Sequence, residues 1–122
     1  MITGSKIPFV NENKKMEKAL KIISQKKLGI LVVRNTKGKT SGIITDGQIR
    51  RAGQKNKNIQ TLLVKNVMTK NPISIDSDEL AAKALSLMNT KKITSLCVTS
   101  KKTKNKTIGI LHIHSILGAN LQ

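Results

Sequence analysis

The sequence predicts a mixed α/β fold of the α+β kind, built as two β-α-β-β-α repeats related by pseudo-two-fold symmetry. The stretch ALKIISQKKLGILVV, Ala19 to Val33, returns 65 residues later as ALSLMNTKKITSLCV, Ala84 to Val98. GIITDGQIRRA, Gly42 to Ala52, returns 67 residues on as GILHIHSILGA, Gly109 to Ala119. Eight residues separate the blocks in the first copy, Arg34 to Ser41, and ten in the second, Thr99 to Ile108, so a two-residue insertion in one polar loop explains the changed offset. Self-similarity at a fixed period, broken only at a loop, marks a repeated structural unit. The copies are read as 1–60, ending in a connector, and 61–122, framing a shared cleft.

Each copy has the same order of elements. Short extended segments around Pro8 to Val10 and Pro72 to Ile75 come first. From Lys14 to Lys27, Met16, Ala19, Leu20, Ile22 and Ile23 fall at helical spacing, and from Glu79 to Lys92 so do Leu80, Ala84, Leu85, Leu87 and Met88. Both stretches predict amphipathic helices. Asp76, three residues before Glu79, reads as an acidic variant of a capping box, with Asp78 and Glu79 on the first turn. Strands follow at Ile30 to Val33 and Leu96 to Val98, then polar hairpin loops, then second strands at Gly42 to Thr45 and Ile108 to His112. Final helices are expected at Gly47 to Lys55 and Ser115 to Leu121, with Asn56 to Val67 as the connector.

Composition narrows the function classes. With one phenylalanine and no tryptophan or tyrosine in 122 residues, the core must be aliphatic. Cys97 is the only cysteine, so no internal disulfide can form, and its apolar setting reads as a buried, inert thiol in a reducing compartment. No stretch approaches the roughly 20 apolar residues of a membrane span, and the start MITGSKIPFV lacks a signal-peptide layout. A cytoplasmic chain without membrane attachment is expected. The net charge of +17 suggests anionic partners. Yet 20 of the 23 basic residues are lysines, the arginines being Arg34, Arg50 and Arg51, and aromatic platforms are missing. Base readers commonly supply arginine forks or stacking rings, so this balance favours a small anion over a dedicated nucleic-acid role.

The motifs then carry a resemblance. The repeated unit, the VMT segment at Val67 to Thr69 and the GIxTD turn look like a pair of CBS domains. GIITDGQIRRA further resembles the GIFTDGDLRR motif, KKITSL the ITS segment, GILHIHSIL the GVLHxHDLL motif, and ITGSKIPFV the TGxxxPxV start of the C-terminal regulatory region of arabinose 5-phosphate isomerases. The resemblance covers essentially the whole chain. In that family a sugar-phosphate isomerase domain lies N-terminal to the CBS pair, so the resemblance implies that isomerase activity belongs to residues outside this stretch. The residues offer no catalytic set of their own. Only His112 and His114 could serve as histidine base. Spaced by two along a strand end, they would point to opposite sides, so no metal pair is expected. No cofactor is called for.

What the resemblance implies instead is ligand recognition in the cleft between the repeats. By analogy the residue closing the third strand meets phosphate, which places Thr45 in the first copy and His112 in the second. An Asp three positions on would hold ribose hydroxyls, but Gln48 and Ser115 stand there, and the loss removes the acceptor pair a cis-diol favours. Asp46, with Gly47, opens the next helix, and either caps it or holds a sugar hydroxyl. Arg50 and Arg51 reach phosphate or lie solvated on the helix. Thr94 and Ser95 face the pocket by resemblance, or are polar residues of an edge strand. Lys27 and Lys92 hold matching places before the inner strands, and His114 completes the candidate set. The expected module binds a phosphorylated or nucleotide-linked sugar, and pathway logic suggests CMP-linked 3-deoxy-octulosonate. It would act by population shift and dimerise through helix residues such as Ile49, Ile116, Leu117 and Leu121. A ligand-free oligomerisation module and a basic nucleic-acid-binding module are the alternatives.

Overall fold

The run ILVVR is aliphatic up to a charged stop, the pattern of a strand buried on both faces. In the computed structural model, which describes residues 2–79, 81–100 and 105–113, it forms the strand Ile30–Arg34, with Ile30 to Val33 all buried. The elements in chain order are β1 (Ile2–Thr3), β2 (Phe9–Asn11), α1 (Met16–Lys26), β3 (Ile30–Arg34), β4 (Thr40–Thr45), α2 (Asp46–Lys55), α3 (Val64–Val67), β5 (Thr69–Lys70), β6 (Ser74–Asp76), α4 (Ala81–Lys91), β7 (Ser95–Thr99) and β8 (Gly109–His112), with short 3₁₀ turns at Gly4–Lys6 and Ile59–Thr61. The expected helix from Ser115 to Leu121 lies outside the described residues.

The chain divides into two units, Pro8–Pro72 and Met1–Ile7 with Ile73–Gln122. In the first, the sheet runs β2-β3-β4-β5, with β2 parallel to β3 and the other pairs antiparallel. Helix α1 turns Met16, Ala19 and Ile23 onto this sheet, where they join Val10, Leu31, Val33, Ile44 and Val64 in one aliphatic core. In the second unit the order is β1-β8-β7-β6, and Ala84 and Met88 of α4 pack with Ile75, Leu96 and Val98. Methionine and branched aliphatic side chains fill both cores, as a chain almost without aromatics requires.

The repeat extends to backbone detail. Ile30 pairs with Thr45 in the first sheet, and Ser95 with His112 in the second, the same two positions after offsets of 65 and 67. Helices α1 and α4 are each followed by a lysine in the left-handed region, Lys27 at φ 55° and Lys92 at φ 56°. Gly4 and Asn71, also left-handed, follow the two short edge strands. Those edges come from unexpected places. The pair Thr69–Lys70 closes the first sheet against Ile43 and Gly42, while Ile2–Thr3, from the other end of the chain, closes the second against Ile110 and Gly109. Contact at Gly42 is so close that a Cβ there would sit 2.4 Å from the Thr69 carbonyl oxygen, which explains the glycine.

Two expectations need correction. Asp76 does not cap the helix that follows. It ends β6, its Oδ1 accepts from the Asp78 N–H at 2.9 Å and its carbonyl from the Glu79 N–H at 3.0 Å, so these acids build a turn ahead of Ala81–Lys91. Nor is Asn56 to Val67 a mere connector. The Met16 N–H donates to the Leu62 carbonyl and the Val64 N–H to the Lys14 carbonyl, each at 2.8 Å, and Val64 is fully buried in the first core.

Candidate functional site

Thr45, Asp46 and Gly47 sit where β4 ends and α2 begins, and a reciprocal cap makes that junction. The Gln48 N–H donates to Thr45 Oγ1 at 3.4 Å, and the Thr45 N–H donates to Gln48 Oε1 at 2.9 Å. This is a capping box in which glutamine supplies the returning acceptor. Gln48 Nε2 donates to Thr69 Oγ1 of β5, so both ends of the side-chain amide are engaged. Gln48, which stands where the resemblance implies a diol-binding acid, is therefore spent on holding helix and edge strand together. Asp46, on the first turn of α2, receives the favourable field of the helix N-terminus.

A glycine that the sequence reading passed over completes this end of the sheet. Gly29 adopts φ +72°, its carbonyl accepts the Asp46 N–H at 3.3 Å, and a Cβ on it would lie 3.3 Å from Asp46 Oδ2. The Asp46 carboxylate thus rests against bare backbone two residues after Lys27. Arg51 folds back over the same turn, its guanidinium 3.3 Å from where a Gly47 Cβ would be. Arg50 is exposed on the neighbouring helix face. Thr45, Asp46 and Arg51 thus meet at one end of the Pro8–Pro72 sheet, while Lys27 follows α1 two residues before Gly29 and Arg50 is exposed.

The second unit repeats the arrangement with different chemistry. The Ile113 N–H donates to the Thr94 carbonyl at 2.8 Å, the counterpart of Asp46 with Gly29. Ser95 and His112 are register partners where β7 begins and β8 ends, both half-buried, and Lys92 follows α4. Strand β7 is paired on both sides, so Ser95 is not an edge-strand residue. His114 lies outside the described residues. Among those described, no three His, Cys, Asp or Glu side chains cluster to hold a metal, and no helix is long and apolar enough to cross a membrane. Thr69 and Gly29, which sequence reasoning left aside, carried only a faint signal, Thr69 in the VMT segment and Gly29 as the partner of Thr94 at the repeat offset.

Geometry of this kind defines a class, a module of two like sheet-and-helix units with unequal polar groups at equivalent sheet ends. The CBS domain family matches residues 2–55 and 64–121, and the chain belongs to that family. It is 36% identical over 121 residues to arabinose 5-phosphate isomerase KdsD of Salmonella typhimurium, and 33% identical over 121 residues to KdsD of Escherichia coli K12, matching 99% of this chain in each case. The chain spans 36% of the length of either relative. Among solved structures, CBSX2 in complex with AMP superposes with a TM-score of 0.86 at 21% identity, covering 100% of this chain and 92% of that one.

Proposed function

We propose that this chain is the regulatory, ligand-binding part of an arabinose 5-phosphate isomerase-like protein, with the paired repeats acting as one module. The observation that supports it most is the lopsided match to the isomerases, nearly complete for this chain but only 36% of their length. Isomerase chemistry then belongs to the part those relatives have in addition. The ligand is a nucleotide or nucleotide-sugar, and a CMP-linked 3-deoxy-octulosonate suits a feedback signal in cytoplasmic synthesis of lipopolysaccharide precursors. Phosphate meets the α2 end of the first sheet near Thr45 and Arg51, with Lys27 adding charge. Because Gln48 is committed to the cap, Asp46 accepts the sugar hydroxyl instead. Thr94, Ser95, His112 and His114 supply the second copy's polar groups, and Lys92 and Arg50 border the site. Regulation follows only if the ligand binds two states of the protein unequally.

One observation favours a ligand-free structural module: Thr45 and Gln48 already satisfy each other. A thermal-shift panel of AMP, ATP, CMP, a CMP-sugar, arabinose 5-phosphate and a short oligonucleotide separates the readings. A CMP-sugar at ten times its Kd should raise the midpoint by about 5 °C. No shift with any small ligand supports the structural module, and a salt-labile shift with the oligonucleotide alone would sink the regulatory one. A homodimer belongs to the same proposal, although Ile49, one expected contact, packs partly onto its own core. Sedimentation showing only monomer at roughly tens of micromolar would remove it.

A further inference from the structure

Two grooves overlap in fold position, each lined in part by the first strand and helix of its copy, and only the first extends to the turn after Arg34. The groove on the Pro8–Pro72 unit, of about 370 Å³, is lined by Phe9, Lys14, Lys18, Arg34, Asn35 and Thr36 among others. Its counterpart, of about 380 Å³, carries Ser74, Asp76, Glu79 and Lys83. The 65-residue offset maps Phe9 onto Ser74, Lys14 onto Glu79, Lys18 onto Lys83 and Arg34 onto Thr99.

In the second copy Lys83 Nζ lies 3.1 Å from Glu79 Oε1, and Asp76 leaves the groove with a surplus negative charge. In the first copy Lys18 shares the groove with a lysine where that acid stood, and Arg34 adds a third positive charge. Among the described residues none of these three forms an ion pair. Like charges around one concave surface repel, and a counter-anion among them removes the repulsion. Lysine abundance does not explain the pattern, because Arg34 is one of only three arginines in the chain. Its guanidinium lies 4.3 Å over the Phe9 ring, the chain's one aromatic, and this stacking restrains the fork before any ligand arrives. A planar fork suits phosphate oxygens better than a lysine does. The neighbouring wall is also rigid: Asn35 Oδ1 accepts the N–H groups of Lys37 and Lys39 at 2.9 and 3.0 Å, pinning the β3–β4 turn.

We propose that this groove is a second anion site, separate from the sheet end at Thr45, which takes a small ligand bearing adjacent phosphoryl groups. Arg34 grips one group as a fork while Lys14 and Lys18 neutralise the next. The test is an amide NMR titration of the whole chain with sodium tripolyphosphate at physiological salt, with a short single-stranded oligonucleotide as a parallel arm. Saturable shifts should centre on Phe9, Arg34, Asn35 and Gly38. Affinity should fall about tenfold in Arg34→Gln, and about tenfold in Lys14→Gln combined with Lys18→Gln, which leaves the Phe9 stack intact should the first variant fold poorly. Lys37→Gln, an exposed lysine outside the groove, should change it by less than about twofold. Shifts centred on Thr45 to Gly47, equal losses in all three variants, binding of the oligonucleotide but not of tripolyphosphate, or no saturable shift would each overturn the proposal.

Discussion

Cys97 shows how much one residue reveals of its surroundings. Burial pushes its thiol up, and a hydrogen bond with Thr107 only partly opposes this. The unfolded thiol ionises near pH 8.5, about where any exposed cysteine does, while the folded one holds its proton to higher pH. The folded state therefore binds more protons between those two values. Stability linked to this residue is full below about pH 8 and declines as pH rises toward the folded value. Urea midpoints from pH 7 to pH 10 should fall more steeply for the wild type than for Cys97→Ala, whose difference from wild type cancels the shared lysine titration. Identical slopes would contradict the burial. A native thiol unreactive toward an aromatic disulfide reagent is the companion expectation. This environment was legible beforehand, because an apolar run in a strand implies it. The reason for Gly42 was not, because nothing in GIITDG announces that Thr69 will press its carbonyl against that Cα.

At the scale of elements, α2 carries the most informative local chemistry. Its cap is a threonine whose removal leaves a helix-terminal N–H without its acceptor. Thr45→Ala should lower stability by about 1 kcal/mol, and Thr45→Ser should stay within a few tenths of wild type, as read from urea denaturation. If ligand binding is lost in both, the threonine methyl contributes to recognition. If only alanine loses it, the hydroxyl does. Helix periodicity and β-branched runs located nearly every element, since those signals depend on near neighbours alone. The start of α4 was misplaced for the same reason. Asp76 to Glu79 has the composition of a helix start, yet pairing of Ser74–Asp76 with Cys97 to Thr99 extends the strand and turns the acids into a loop.

At the scale of the whole molecule, the chain closes on itself in a way its repeats do not display. Removing residues 1–6 should strip the edge from the second sheet and leave the first intact. Amide exchange in Gly109–His112 should then accelerate by roughly tenfold or more, with Ile30–Arg34 unchanged. Equal acceleration in both strands would mean that the units do not respond separately.

By itself the sequence determined the repeated order of strands and helices among the described residues, the aliphatic cores and the buried thiol, because repeat offsets, periodicity and composition are written in neighbouring residues. Tertiary structure alone decided which two-residue segments complete the sheets, since a strand of that length has no period of its own and takes its place from the partner that hydrogen-bonds it. Folding also made Gln48 a clasp on Thr69. In the same way it drew Phe9, Lys14, Lys18 and Arg34, spread over 26 residue positions, around one groove, for charge is read along the chain but acts across space.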